Sequence, residues 1–160
     1  MVLYSTIYDD LGRINLVREG INWRGRTSEK YSTSEDIYFF CCDYLHMDRL
    51  TEEQVYVFCF NHSLHITGLF LLSVGTVDQS LVSPREVFLK AFLSGATSIA
   101  IVHNHPSGDP SPSEYDRLIT QRVAKAGRII GIDIIEHIII GKESFYSFNE
   151  NEKEILEVKS

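Results

Sequence analysis

The sequence predicts one α/β domain built on a mixed β-sheet flanked by helices. Three observations carry this. Strand-like apolar runs (VYVFCF at 55–60, LHITGLFLLSV at 64–74, IDIIEHIII at 132–140) alternate with segments of helical periodicity, the pattern of layered α/β folds rather than of bundles or sandwiches. The run from Ile99 to Val102 is apolar at every position, as a strand covered on both faces requires. Finally, 160 residues, of which 44% are hydrophobic, suffice for one sizeable core, and a mean hydropathy of −0.06 is that of an ordinary globular chain.

Taken in order, residues 1–31 alternate weakly and form an N-terminal extension that can make a hairpin turning near Asp10-Leu11-Gly12. Ser32 followed by Glu35 has the form of a capping box and predicts a helix over about 34–46. Two strands follow, joined by a turn at Asn61-His62-Ser63. Ser83-Pro84-Arg85-Glu86 repeats the capping-box form, with proline in the favoured first helical position, and the helix stops at Gly95. After the strand at 99–102, Tyr115, Leu118, Ile119, Val123 and Ala126 keep helical spacing until Gly127. Strands at 132–140 and 144–148 precede a polar tail over 150–160. No repeat or low-complexity tract interrupts the chain.

Charge and cysteine usage narrow the function classes. A formal net charge of −7 disfavours a broad phosphate-binding surface. The exception is the stretch 11–30, where Arg13, Arg18, Arg24, Arg26 and Lys30 face only Glu19 and Glu29. It reads as a solvated leader rather than a partner-binding arm. Cys41, Cys42 and Cys59 form no C-x-x-C pair, so all three are expected as reduced, buried hydrophobes. No apolar run reaches the ~18 residues of a membrane helix, and the start MVLYSTIYDDLG lacks the basic opening of a secretory signal, so the expected compartment is the cytoplasm.

The chemistry concentrates in IVHNHPSGDPSPSEYD, residues 101–116. Side chains two apart on an extended chain point the same way, so His103 and His105 converge where Pro106 ends the strand. Asp116, in the first turn of the next helix, returns to the same place. Two imidazoles and a carboxylate leave one coordination position open, the arrangement of catalytic zinc. The plainer reading is that Ser113-x-x-Asp116 caps a helix and the prolines make a turn; it accounts for Ser113 and Asp116 but uses neither histidine. The two readings are compatible. The same ligand types also serve non-haem iron.

His103-x-His105, seven residues beginning with Pro106, and Ser113-x-x-Asp116 together resemble the signature of the JAB/MPN+ (JAMM) metalloprotease superfamily. The longer series VSPREVF (82–88), IVHNHPSG and EHIIIG (136–141) resembles the RadC-like members, over approximately residues 32–149. The resemblance implies a JAB/MPN-like sheet with cytidine-deaminase-like layering and one zinc held by His103, His105 and Asp116. It further implies a general base at the start of the first core strand, where the register of TEEQVYVFCF selects Glu53 over Glu52. Ser113 would then stabilise the oxyanion, and the substrate would be a peptide or isopeptide bond in a protein or peptide. Two alternatives stay open: a DNA-repair-associated role, and a protein-interaction domain without turnover. The helix-hairpin-helix elements usual in RadC proteins have no counterpart in residues 1–31, so tight direct DNA binding is not expected. The Asp-His pair usual before IIIG is Glu136-His137 here, with His137 either supporting a ligand or structural. His46, His62 and His65 fit no ligand spacing.

Overall fold

The computed structural model describes residues 3–8, 11, 13–19, 31, 33–75 and 82–157. The sheet has seven strands: β1 (Leu3–Tyr8), β2 (Ile14–Glu19), β3 (Glu53–Phe60), β4 (Ile66–Gly75), β5 (Ser98–Asn104), β6 (Asp133–Ile140) and β7 (Phe145–Ser147), in spatial order β2-β1-β4-β3-β5-β6-β7. It is mixed. β3 runs antiparallel to both β4 and β5, whereas β5 and β6 are parallel. The parallel pair is joined by α3 (Glu114–Ile130), the crossover helix such a connection needs. Helices α1 (Ser34–Leu45) and α2 (Pro84–Leu93) complete the layers. The N-terminal pair does form an antiparallel hairpin turning around Leu11. Of the basic stretch 11–30, residues 12 and 20–30 lie outside the described residues.

Side-chain parity assigns each face its cover. Val55, Val57 and Cys59 of β3 and Ile99 and Ile101 of β5 pack with Val87, Phe88 and Ala91 of α2 and Ile119 and Val123 of α3. On the other face Tyr56, Phe58, Phe60, Ala100, Val102, Ile138 and Ile140 pack with Ile37, Phe40 and Cys41 of α1. Phe58, with no exposed surface, meets Phe40 edge-on at 5.6 Å between ring centroids. Truncating a ring so placed typically costs ~3–5 kcal/mol. The cysteines are free, and burial pushes Cys41 well above its ordinary value and Cys59 up to about 11. Neither is a nucleophile at neutral pH.

Several local expectations are corrected. Helix α1 is capped by Thr33 with Asp36 in a reciprocal box, one residue on from the expected Ser32–Glu35; Ser32 itself lies outside the described residues. Ser83 precedes α2 without a side-chain cap bond, and Glu86 accepts from Arg85 instead of completing a box. Helix α3 passes Gly127 and ends at Gly131, whose φ of 81° is the left-handed conformation a helix stop needs. Gly127 instead serves close packing, since a Cβ there would lie 2.4 Å from the Ile132 carbonyl. Residues after 149 are polar but not a loose tail through Glu157. They form α4 (Phe148–Asn151) and α5 (Lys153–Leu156), and Glu152 accepts from Arg117 Nη2 at 2.8 Å and from the Tyr146 hydroxyl at 2.6 Å.

Candidate metal centre

Strand β5 is longer than its apolar run because His103 and Asn104 are also paired, to β6 through Ile139 and Ile140. By alternation His103 shares the α2/α3 face with Ile99 and Ile101. The chain leaves the sheet at His105, whose N–H still donates to the Ile140 carbonyl at 2.9 Å. A loop then closes over the strand end. Gly108, with φ 86°, turns it, and its carbonyl accepts from Lys142 N at 3.1 Å. The approach depends on Gly141, where a Cβ would sit 2.5 Å from the Gly108 oxygen and 2.8 Å from Pro110. The loop ends at Ser113, which caps α3 in the expected box with Asp116.

Three ligating atoms meet at this point: His103 Nε2 lies 3.1 Å from His105 Nε2 and 3.2 Å from Asp116 Oδ1, and His105 Nε2 lies 3.7 Å from Asp116 Oδ2. All three groups lie within 4.8 Å of one another, and no other such cluster occurs among the described residues. The ring orientation of His105 is set by its far nitrogen, because Nδ1–H donates to the Asp109 carbonyl at 2.8 Å. A carbonyl only accepts, so the proton is on Nδ1 and Nε2 is the atom presented. Asp116 Oδ2 is held by the Ser113 N–H at 2.7 Å and the Ser113 hydroxyl at 2.6 Å, leaving Oδ1 turned to His103. This is what Ser113 visibly does here: it orients the carboxylate.

The electrostatics agree with a cation site. Burial alone raises the Asp116 carboxyl, yet His103, His105 and Ser113 outweigh it and hold the group far below the carboxylate range. The Asp116 carboxylate in turn pushes His105 above its ordinary value, against the opposing effect of burial. Nitrogen and oxygen lone pairs converging in a mostly buried spot repel unless a positive charge lies among them. Two imidazoles and a carboxylate so placed could hold a metal ion.

Glu53 reaches the same place through strand direction. Because β3 is antiparallel to β5 (Val55 opposite His103), the start of β3 lies beside the end of β5. Glu53 is buried and Glu52 exposed. Burial, helped by Asp116, raises the Glu53 carboxyl, while His103 and His105 oppose the rise. Glu53 lines both the small gap behind the centre, with His103 and Asp116, and an open groove of about 550 Å³ in front, with Val74, His105 and Tyr115. Asn104, facing away from the ligands, clamps this stretch of backbone. Its Oδ1 accepts from Gln54 N at 2.8 Å and its Nδ2 donates to the Glu52 carbonyl at 3.1 Å. A lone asparagine between two histidines carries no signal of that task. His137 lies behind His103, with Nε2 2.9 Å from His103 Nδ1, and Thr120 lies behind His137. Thr120 was detectable only as the residue four after Asp116, on the same helical face.

Fold and site thus define a mixed-sheet α/β domain with a three-ligand, metal-competent centre where an interior strand ends. The chain belongs to the RadC-like JAB domain family, whose profile matches residues 31–154. It is 42% identical over 125 residues to a UPF0758 protein of Thermotoga maritima, covering 78% of this chain and 55% of that protein. With a UPF0758 protein of Chlorobium phaeovibrioides it shares 38% over 133 residues, 82% of this chain and 58% of the relative. With one of Clostridioides difficile identity reaches 54% over 80 residues, 50% of this chain and 34% of the relative. The chain spans about half the length of the curated relatives it matches. No helix among the described residues is long and apolar enough to cross a membrane.

Proposed function

We propose that this chain is a zinc-dependent hydrolase of peptide or isopeptide bonds. The observation that carries the reading is the convergence of His103 Nε2, His105 Nε2 and the Asp116 carboxylate beside a buried glutamate that opens onto a groove. His103, His105 and Asp116 would hold the ion, and a zinc bound there supplies a Lewis acid and a water whose pKa falls to ~7. Glu53 takes the proton of the attacking water and passes it to the leaving amine. Its partial burial supports this, because a carboxyl raised above its ordinary value is the stronger base and takes a proton from water more readily. Ser113 orients Asp116, and it serves an oxyanion only by turning its hydroxyl away from that carboxylate.

The test begins with elemental analysis of protein purified without chelator. One zinc per chain is expected, and its loss in His103→Ala and Asp116→Ala. The loaded protein is then offered a panel of peptide and isopeptide conjugates. Cleavage abolished by chelator and restored by zinc supports the reading; a zinc-loaded parent that cuts no member overturns it.

A further inference from the structure

We propose that His137 and Thr120 are positioning residues that hold His103 in the tautomer presenting Nε2 to a metal. This rests on the reading of the site as a metal centre and adds a mechanism for its assembly. The argument starts from a group whose role is unambiguous. The Thr120 hydroxyl bonds the Asp116 backbone carbonyl, the ordinary back-bond of a helical threonine to the residue four before it. A carbonyl cannot donate, so the hydroxyl proton lies there. The same oxygen also contacts His137 Nδ1, and with its proton spent it can only accept. Nδ1 of His137 therefore carries a hydrogen.

His137 is 1% exposed, and among the described residues its ring nitrogens meet only Thr120 and His103. With the Nδ1 hydrogen directed at Thr120, Nε2 is the atom turned to His103 and serves as its acceptor in the relay. His103 Nδ1, 2.9 Å away, must donate to it. The remaining nitrogen of a neutral His103 is then Nε2, free of hydrogen and aimed at His105 and Asp116. Run in the opposite direction, the relay sets the Thr120 hydroxyl oxygen against the Asp116 carbonyl oxygen with no hydrogen between. Phe148, stacked on His137 at 5.0 Å and 13°, fixes the plane of the ring. The relay begins and ends on Asp116, joining one ligand's backbone to the other ligand's far nitrogen. His105 achieves the same result with one carbonyl, that of Asp109. His103 is buried in the sheet, its Nδ1 meets no carbonyl among the described residues, and two side chains take that place.

The experiment reads tautomers by long-range proton–nitrogen correlation in histidine-labelled protein, and zinc affinity by chelator competition. His137 is expected as the Nδ1–H tautomer in metal-free and zinc-loaded protein, and His103 as Nδ1–H when zinc is bound. Thr120→Val, nearly the same shape, should destroy the preference at His137 and weaken zinc binding ~10–100-fold, the usual effect of losing a group that orients a ligand. Thr120→Ser should restore both. His137→Phe should weaken zinc comparably while keeping the ring stack. Nε2–H on His137 in the parent, or parent-like zinc affinity in Thr120→Val, overturns the proposal. If the parent itself binds no zinc, the metal reading falls, and the metal-free His137 spectrum still decides the relay.

Discussion

Two buried carboxylates, Asp116 and Glu136, look alike by exposure, at 7% and 4%, but their neighbours differ. Glu136 Oε2 accepts from the hydroxyls of Ser34 and Ser147, each at 2.7 Å, and Oε1 from the N–H groups of His137 at 2.7 Å and Asn149 at 3.2 Å. Four donors from α1, β6, β7 and α4 saturate it, and no imidazole among the described residues bonds it. Asp116 has its donors on Oδ2, and Oδ1 is turned to His103. Burial alone therefore does not mark a site. A buried carboxylate whose acceptor capacity is spent on local donors ties elements together, whereas one with an oxygen left over, facing imidazoles, can bind a cation. Adjacent residues of one strand show the same division. Glu136 faces α1 and His137 faces α3, because successive strand side chains point to opposite faces.

The largest expected effect is at Asp116. Asp116→Asn keeps an acceptor for the cap but removes the anionic ligand, and zinc should fall to background by elemental analysis with the fold retained by circular dichroism. Zinc at parental stoichiometry would place the centre elsewhere. Next comes Glu53→Gln, which should bind zinc normally but lose ~10²–10⁴-fold in cleavage rate, the worth of a positioned base. Glu52→Gln is the control and should be near parental, since Glu52 is exposed. Equal behaviour of the two variants in an active preparation would remove Glu53 from the mechanism.

Glu136→Gln should do the reverse of Asp116→Asn. Its amide cannot accept from all four donors, so folding is expected to weaken by ~1–3 kcal/mol in urea titration, with zinc stoichiometry unchanged. Loss of zinc in a folded Glu136→Gln protein would erase the distinction between the two carboxylates.

The smallest effect is a pair of opposite pH slopes in metal-free protein. The Asp116 carboxyl is held below its ordinary 3.8 by the imidazoles and Ser113 against burial. Its stabilisation is present above that value and is lost as the pH falls further, so the parent's advantage over Asp116→Asn should shrink in acid. Burial raises Glu136 above its ordinary 4.5 despite its serine and backbone donors. Its neutral form is favoured in the fold, so the parent's advantage over Glu136→Gln should grow as the pH is lowered through the raised value. Urea midpoints across the acid range read both slopes; slopes of the same sign would break the contrast.

By itself the sequence determined whatever depends on neighbours along the chain. Period-two and helical spacing located the core strands and helices, and His103-x-His105 with Ser113-x-x-Asp116 located the cap and the cluster that could hold a metal ion, because one strand end and one helix start carry them all. The Gly127 stop was misread because a glycine that permits close packing and one that ends a helix look the same in sequence; φ separates Gly131 from Gly127. Tertiary structure decided the rest. The antiparallel register of β3 on β5 brings Glu53 to the centre, and Asn104 clamps the backbone around it. A register shift in the β5–β6 pairing between Ile99 and Ala100 sets which way Glu136 and His137 face. Thr120, His137 and His103 join only when α3 crosses over β5 and β6. These are contacts between residues far apart in the chain, made by hydrogen-bond register and helix packing, and no local pattern encodes which pairs will meet.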